Sequence, residues 1–447
     1  MHSAFDDPAF WHRIQFAFTV TYHYLFPQLT MGLAWFLVYW KWRALQTGDE
    51  RYNAAVRFWA RIFGLNFAVG VVTGIPMEFQ FGTNWAAFSR YSGGVIGQTL
   101  AMEGMFSFFL ESAFIGALIW GEKRLGPRNH FIAAVGVAFG SWLSGFFIIA
   151  TNAFMQHPTG YALSPDGASV GLTDIGAFLL NSWAWVEFAH NQVAALVTGS
   201  FAITAVGAFY TLRGVHPHQA RLYLRAGTAV GLVASLLVAF PTGDRQAKIV
   251  AHYQPVTLAA MEGRFHGGTM ADLCVIGQPD VQKQQLDNPI KIPGALSFLA
   301  TGTFTSNVHG LDEFDVKDWP DNIELLYYAF HLMVILGTIF ILLMALANLQ
   351  MFRGKLETST WLLWPLMLAF PFPYIANTLG WMTAELGRQP WLVYGLFHTE
   401  QGYSAVVNHG NVVFTVIGFS GLYFVLGLLF LYLVGREIYL GPGSDHD

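Results

Sequence analysis

Long apolar stretches separated by short polar connections run along almost the whole chain. A helix needs about 20 mostly apolar residues to cross the hydrocarbon layer of a membrane. Nine stretches meet that requirement, at roughly 14–40, 60–82, 96–120, 130–155, 178–212, 222–241, 324–351, 360–385 and 411–436. Aromatic residues crowd their ends, as from Phe36 to Trp42 and from Trp361 to Trp364. Amphipathic rings favour that headgroup depth. The pattern predicts an all-α fold, a polytopic membrane helix bundle with about nine transmembrane helices.

The polar connections are asymmetric in charge. Those after the odd-numbered stretches hold Lys41, Arg43, Arg51, Arg57 and Arg61, then Lys123, Arg124 and Arg128, then Arg213, Arg221 and Arg225, then Arg353 and Lys355, and finally Arg436. Short segments on the other side hold only Arg13, Arg90 and Arg388. Basic residues stay on the cytoplasmic side. The N-terminus is therefore expected outside and the C-terminus in the cytoplasm. The chain divides into residues 1–241 with helices one to six, an extracytoplasmic loop at 242–323, and residues 324–447 with helices seven to nine and a tail. That loop holds Arg245, Lys248, Glu262, Arg264, Asp272, Asp280, Lys283 and Lys291. Loops of such length in compact proteins usually serve function. A partly ordered lid is the expectation.

Composition agrees. Of 447 residues, 54% are hydrophobic and 11% charged, where a soluble domain carries about 25% charged residues. Too few solvated side chains remain to cover a soluble globule, so lipid is the solvent. The net charge of -5 is small and spread out, which argues against a nucleic-acid partner. One cysteine, Cys274, excludes an intrachain disulfide framework and cysteine-cluster metal sites. The first apolar run is too long for a signal sequence and has an acidic flank, so it reads as a retained span.

Ionisable residues inside the apolar stretches are His23, Glu103, Glu111, Glu187 and His190, with Glu78, His331 and Glu385 nearer the ends. A charge at the bilayer centre costs about 2.5–3.5 kcal/mol on insertion scales. These carboxylates need a proton or a bound cation, and no Lys or Arg is expected at comparable depth. Histidine and glutamate without a basic partner point to metal, protons or both. Haem iron supplies a cation, and neutral imidazole is a common axial ligand. Met333 joins the candidates when paired with His190, since His/Met ligation is the electron-transfer type. The expected topology sets His23, Glu103, His190, Met333 and Glu385 in the outer halves of five helices. Each also has a plainer reading: interhelical hydrogen bonds for the histidines, packing for Met333, and a helix-end ion pair with Arg388 for Glu385. Glu103 and Glu111 would lie about 80° apart and about 12 Å along a straight helix, as a proton relay or as protonated acids bonding neighbouring helices.

The motifs RIQFAFTVTYHYLF (Arg13–Phe26), GIPMEFQFGTNW (Gly74–Trp85), LAMEGMFSFFLES (Leu100–Ser112), ATNAFMQHP (Ala150–Pro158), EFAHNQVAALVTG (Glu187–Gly199), QPVTLAAMEG (Gln254–Gly263), HLM (His331–Met333) and GWMTAELGRQPW (Gly380–Trp391) resemble, in order, subunit I of cytochrome bd quinol oxidases with the shorter quinol-binding loop. The resemblance implies that His190 and Met333 ligate haem b558. It implies that His23 and Glu385 ligate the high-spin haems b595 and d, without saying which serves which, and that Glu103 lies close by. It further implies Glu111 in a proton path, Trp381 and Arg388 in the haem wall, and Glu262 as a quinol contact in the loop. Quinol and O2 would be the substrates in a bacterial cytoplasmic membrane, with oxidase subunit II and small single-span subunits as partners. The chain departs from the family at Thr257, Glu187 and His331, where basic residues are common. Ligands alone also admit haem b in place of haem d, a haem-b quinol dehydrogenase, or, in another class, a secondary transporter with carboxylates at the membrane midplane.

Overall fold

The structure, a computed structural model, describes residues 8–443. Its long helices are α1 (Pro8–Thr47), α2 (Glu50–Thr83), α3 (Ala86–Trp120), α4 (Glu122–Gln156), α5 (Ser182–Arg213), α6 (Pro217–Tyr253), α8 (Ile323–Phe352), the pair α9 (Thr360–Leu368) and α10 (Phe372–Arg388), and α11 (His409–Leu440). A short α7 (Pro255–Met261) opens the long loop. Local chemistry sets several ends. The Asp49 carboxylate accepts the Arg51 N–H at 3.0 Å to start α2, and the side chains of Asn181 and Asn322 do the same for α5 and α8. Gly214, at φ 69°, closes α5 in a conformation that favours glycine.

Among the described residues, seven helices are long and apolar enough to cross a membrane, and the bent α9–α10 pair makes an eighth if taken as one span. The fold is thus an all-α membrane bundle. At 40 residues α1 is also long enough to cross, but Thr19, His23, Gln28 and Thr30 dilute its apolar character. The stretch expected as a single span at 360–385 is broken by 41°. Pro371 and Pro373 explain the break, because proline lacks the N–H and crowds the preceding turn. The sixth helix does not stop near 241. It widens into a π-helical turn at Val238–Gly243 that takes up Pro241, and then continues to Tyr253.

The bundle closes around α1 and α5. A Cβ added to Gly32 would lie 2.1 Å from the Ala195 carbonyl oxygen, so these two backbones meet where only hydrogen fits. Leu33, Trp40, Phe58, Trp59, Phe63, Tyr210 and Tyr223 fill the core beyond that crossing. At one end, ion pairs tie the helices: Lys41 and Arg57 to Glu122 at 3.2 and 3.1 Å, Arg61 to Glu437 at 2.8 Å, and Arg221 to Glu357 at 3.1 Å.

The long loop is a packed cap, more ordered than a partly ordered lid. Strand β1 (Leu273–Asp280) pairs antiparallel with β2 (Gln285–Ile292). Phe265, Leu296, Leu311 and Trp319 form a small core with Ile323 and Leu326 of α8. Apolar residues scattered through a polar segment carry no strong period, so this core was not visible in the pattern alone.

Candidate functional site

His23 lies on α1 with its ring against α2. Its Nδ1 is 3.1 Å from the Thr73 hydroxyl, and a Cβ added to Gly74 would sit 2.9 Å from its Cε1. His190 on α5 has the same surroundings on α6: Nδ1 is 3.1 Å from the Thr242 hydroxyl, and Gly243 lies beside Cε1. Met333 on α8 points its sulfur at α10, where a Cβ on Gly380 would be 3.0 Å from Sδ. Each of these three side chains is therefore seated against a glycine of a neighbouring helix. Neither histidine Nε2 makes a hydrogen bond among the described residues, which leaves that atom available as a ligand.

On α10, next to Gly380, Trp381 is partly buried. One turn further, Glu385 is bonded by the guanidinium of Arg388 and accepts the Asn152 side-chain N–H at 2.7 Å. Arg388 is only 2% exposed. This corrects the expectation that no basic residue lies at comparable depth. The helix-end position of Arg388 suggested solvent, but the loop following α10 folds back over it, and the Trp391 carbonyl accepts from its Nε at 3.3 Å.

Glu103 opens a π-helical turn, Glu103–Phe108, inside α3. Its carboxylate accepts the Ser144 hydroxyl at 2.6 Å. Glu111 is buried with Oε1 unpartnered and packs against Gly140, one turn along α4 from Ser144. The extra residue in a π turn removes about 100° of rotation, so the two carboxylates fall nearer one face than a straight helix allows. Both meet α4. Glu187, one turn before His190, is buried with both oxygens unpartnered.

His331 is not free to ligate. Its Nδ1 lies 2.9 Å from the Tyr327 carbonyl and its Nε2 2.9 Å from the Cys274 carbonyl, so it fastens α8 to β1. Glu262 follows α7 in the cap, buried, with Oε2 unpartnered. Burial pushes its carboxyl up to about 8. Thr257 donates to the Gly387 carbonyl at 2.7 Å and so docks the cap on α10. Glu78 is exposed on α2.

Sequence reasoning did not single out Thr73, Thr242, Ser144 or Asn152. Hydroxyl and amide residues are common in apolar helices, and only the third dimension sets these against the candidate ligands. Thr-Gly dipeptides stand at 73–74 and 242–243, but four others occur in the chain, so the dipeptide alone does not mark these positions.

Among the described residues no three His, Cys, Asp or Glu side chains gather to hold a bare metal ion. Haem asks for less, since the macrocycle fills the equatorial positions and protein supplies one or two axial ligands. Imidazoles with a free Nε2, a thioether beside a glycine and the Glu385 carboxylate held by Arg388 and Asn152 fit that donor set.

The comparisons with known proteins converge. The protein family described as Cytochrome bd terminal oxidase subunit I matches residues 11–442. The chain is 38% identical over 445 residues to the cytochrome bd ubiquinol oxidase subunit 1 of Bacillus subtilis (strain 168), covering 97% of this chain and 94% of that one. It is 32% identical over 497 aligned positions to the cytochrome bd-II ubiquinol oxidase subunit 1 of Escherichia coli (strain K12), covering 97% and 96%. Its structure is similar to that of the bd oxidase from Geobacillus thermodenitrificans, with TM-score 0.91, 29% identity, and coverage of 98% of this chain and 100% of that one.

Proposed function

The chain belongs to the cytochrome bd terminal oxidase subunit I family, and from that premise we propose how its own residues serve the family's reaction, quinol oxidation coupled to reduction of O2. It is an oxidoreductase of a bacterial cytoplasmic membrane, crossing it many times. Oxidases of this family carry haems b558, b595 and d and work as hetero-oligomers with a subunit II.

In this reading His190 and Met333 hold haem b558, while His23 and Glu385 hold the high-spin pair with Glu103 beside them. Small single-span subunits are further partners. When bound, the macrocycles, with haem d or haem b at the oxygen site, would supply one-electron transfer and the reduction of O2. The protein supplies the rest. Gly74 and Gly380 give clearance for His23 and Met333, Gly243 lies in contact with His190, and the crowded core keeps water from the site. The Arg388 guanidinium and the Asn152 amide would hold the Glu385 carboxylate in place. Trp381 forms part of the wall.

The N-terminus lies outside and the cytoplasmic end is the one tied by ion pairs, supported by the basic residues that follow the odd-numbered spans. The cap from 254 to 322 then faces outward and receives the quinol at Glu262. Protons from the quinol leave on that side. Protons for water come from the cytoplasm by way of Glu111 and then Glu103, whose carboxyls meet the same helix, α4. Opposite proton sides separate charge without a pump.

One observation carries the reading: two histidines and a methionine, on α1, α5 and α8, each lie against a glycine of an adjacent helix, with both histidine Nε2 atoms uncommitted. The test is the purified complex itself. Pigment extraction and a reduced spectrum should give three haems with O2 uptake on quinol, whereas a colourless preparation would leave a transporter as the reading.

A further inference from the structure

Two histidines are held by the same dipeptide on different helices. Thr73-Gly74 of α2 meets His23, and Thr242-Gly243 in the π turn of α6 meets His190. In both, the threonine hydroxyl proton is already used. Thr73 donates to the Val69 and Gly70 carbonyls at 2.9 and 3.0 Å, and Thr242 donates to the Leu237 carbonyl at 3.0 Å. A hydroxyl has one proton to give, so what each oxygen offers the imidazole is a lone pair. The histidine nitrogen facing it must carry the hydrogen.

We infer that Thr73 and Thr242 are positioning residues that lock His23 and His190 as Nδ1–H tautomers, so that each presents an Nε2 lone pair to haem iron, with Gly74 providing clearance for the His23 ring and Gly243 lying in contact with that of His190. The inference rests on the haem-ligand reading above. The π turn at Val238–Gly243 has a function in this arrangement. Thr242 bonds the carbonyl five residues back, as the widened turn requires, and this brings its oxygen to His190. A side chain on Gly74 would press on the His23 ring, at 2.9 Å from Cε1. The partner is a hydroxyl and not a carboxylate. It accepts weakly, so the ligand stays a neutral imidazole while its ring orientation and basicity are still set from behind.

The experiment uses the assembled oxidase with Thr242→Val, Thr242→Ser, Thr73→Val and Thr73→Ser. Valine keeps the shape and removes the oxygen; serine keeps the oxygen. The readouts are haem stoichiometry and the midpoint potential of each haem by spectroelectrochemical titration. Loss of the acceptor makes the imidazole a poorer donor to ferric iron. Thr242→Val should therefore shift the low-spin haem midpoint to more positive potential and leave the high-spin pair unchanged. Thr73→Val should shift one high-spin midpoint in the same sense, and both serine variants should return toward the starting values. Full haem loading with unmoved midpoints in the valine variants overturns the inference, as do serine variants shifted as far as valine. If a valine variant does not assemble, the smaller Thr→Ala change is judged by the same two criteria. A parent complex without haem would instead sink the ligand reading, which keeps the two failures apart.

Discussion

Arg388 grips Glu385 three residues back on the same helix, and Asn152 of α4 holds the same carboxylate from the other side at 2.7 Å. The pair is lopsided: Arg388 is 2% exposed, while the Glu385 side chain is 39% exposed. The carboxylate therefore has an open flank and a fixed charge behind it. An open flank of this kind is what the proposed ligand role for Glu385 requires.

Removing the carboxylate strands the cation. The buried Arg388 guanidinium would be left without its ion partner, which destabilises the fold. Glu385→Ala should lower the thermal midpoint of the detergent-solubilised complex and deplete high-spin haem, with the low-spin haem retained. Unchanged stability and unchanged haem content would contradict the role given to the pair.

Glu111 lies on the path proposed for protons and touches no ligand. Proton transfer by a placed side chain is worth about 10²–10⁴-fold. Glu111→Ala should slow O2 uptake by about 10² with all haems bound, as read by an oxygen electrode beside a reduced spectrum. Wild-type turnover in that variant removes Glu111 from the path.

The hydrophobic pattern was enough for the seven long apolar helices found among the described residues, because each span must satisfy its own backbone and bury an apolar surface. Their interruptions were harder. Pro241 looks like a stop, yet the helix widens and goes on to Tyr253; Pro371 and Pro373 sit inside one apolar run, yet they bend it by 41°. Whether a proline ends, kinks or is absorbed depends on neighbours that satisfy the freed carbonyls. The candidate ligands stood out as polar residues in apolar runs. Their partners did not, since Thr73, Thr242 and Ser144 resemble dozens of small polar residues until α2, α6 and α4 bring them to the ligands. The helix-end pair of Glu385 with Arg388 is present as expected, but the burial of Arg388 under a following loop leaves no local mark in the sequence.

Burial sets the Glu262 carboxyl apart from an ordinary glutamate. Burial raises its carboxyl to about 8, so it is protonated below that pH and becomes an acceptor above it. Its titratable neighbours are the Cys274 thiol, itself pushed up by burial, and the Tyr327 hydroxyl 3.3 Å from that sulfur. Quinol turnover should rise as pH increases through about 8, and Glu262→Gln should flatten that limb and raise the quinol KM with haem content intact. An identical pH profile in the variant would show that the carboxyl does not take part.

The α1–α5 crossing admits no side chain. Overpacking typically costs about 1–3 kcal/mol and more against rigid backbone. Gly32→Val, whose Cβ would meet the Ala195 oxygen at 2.1 Å, should reduce the yield and thermal midpoint of the complex. Normal stability would mean that the two helices separate more easily than their contact suggests.

The most direct measurement is the reduced-minus-oxidised spectrum, with haem quantification, of the purified His190→Ala oxidase. The account predicts loss of the low-spin haem b signal while the high-spin features persist. A full low-spin spectrum at wild-type stoichiometry would contradict it.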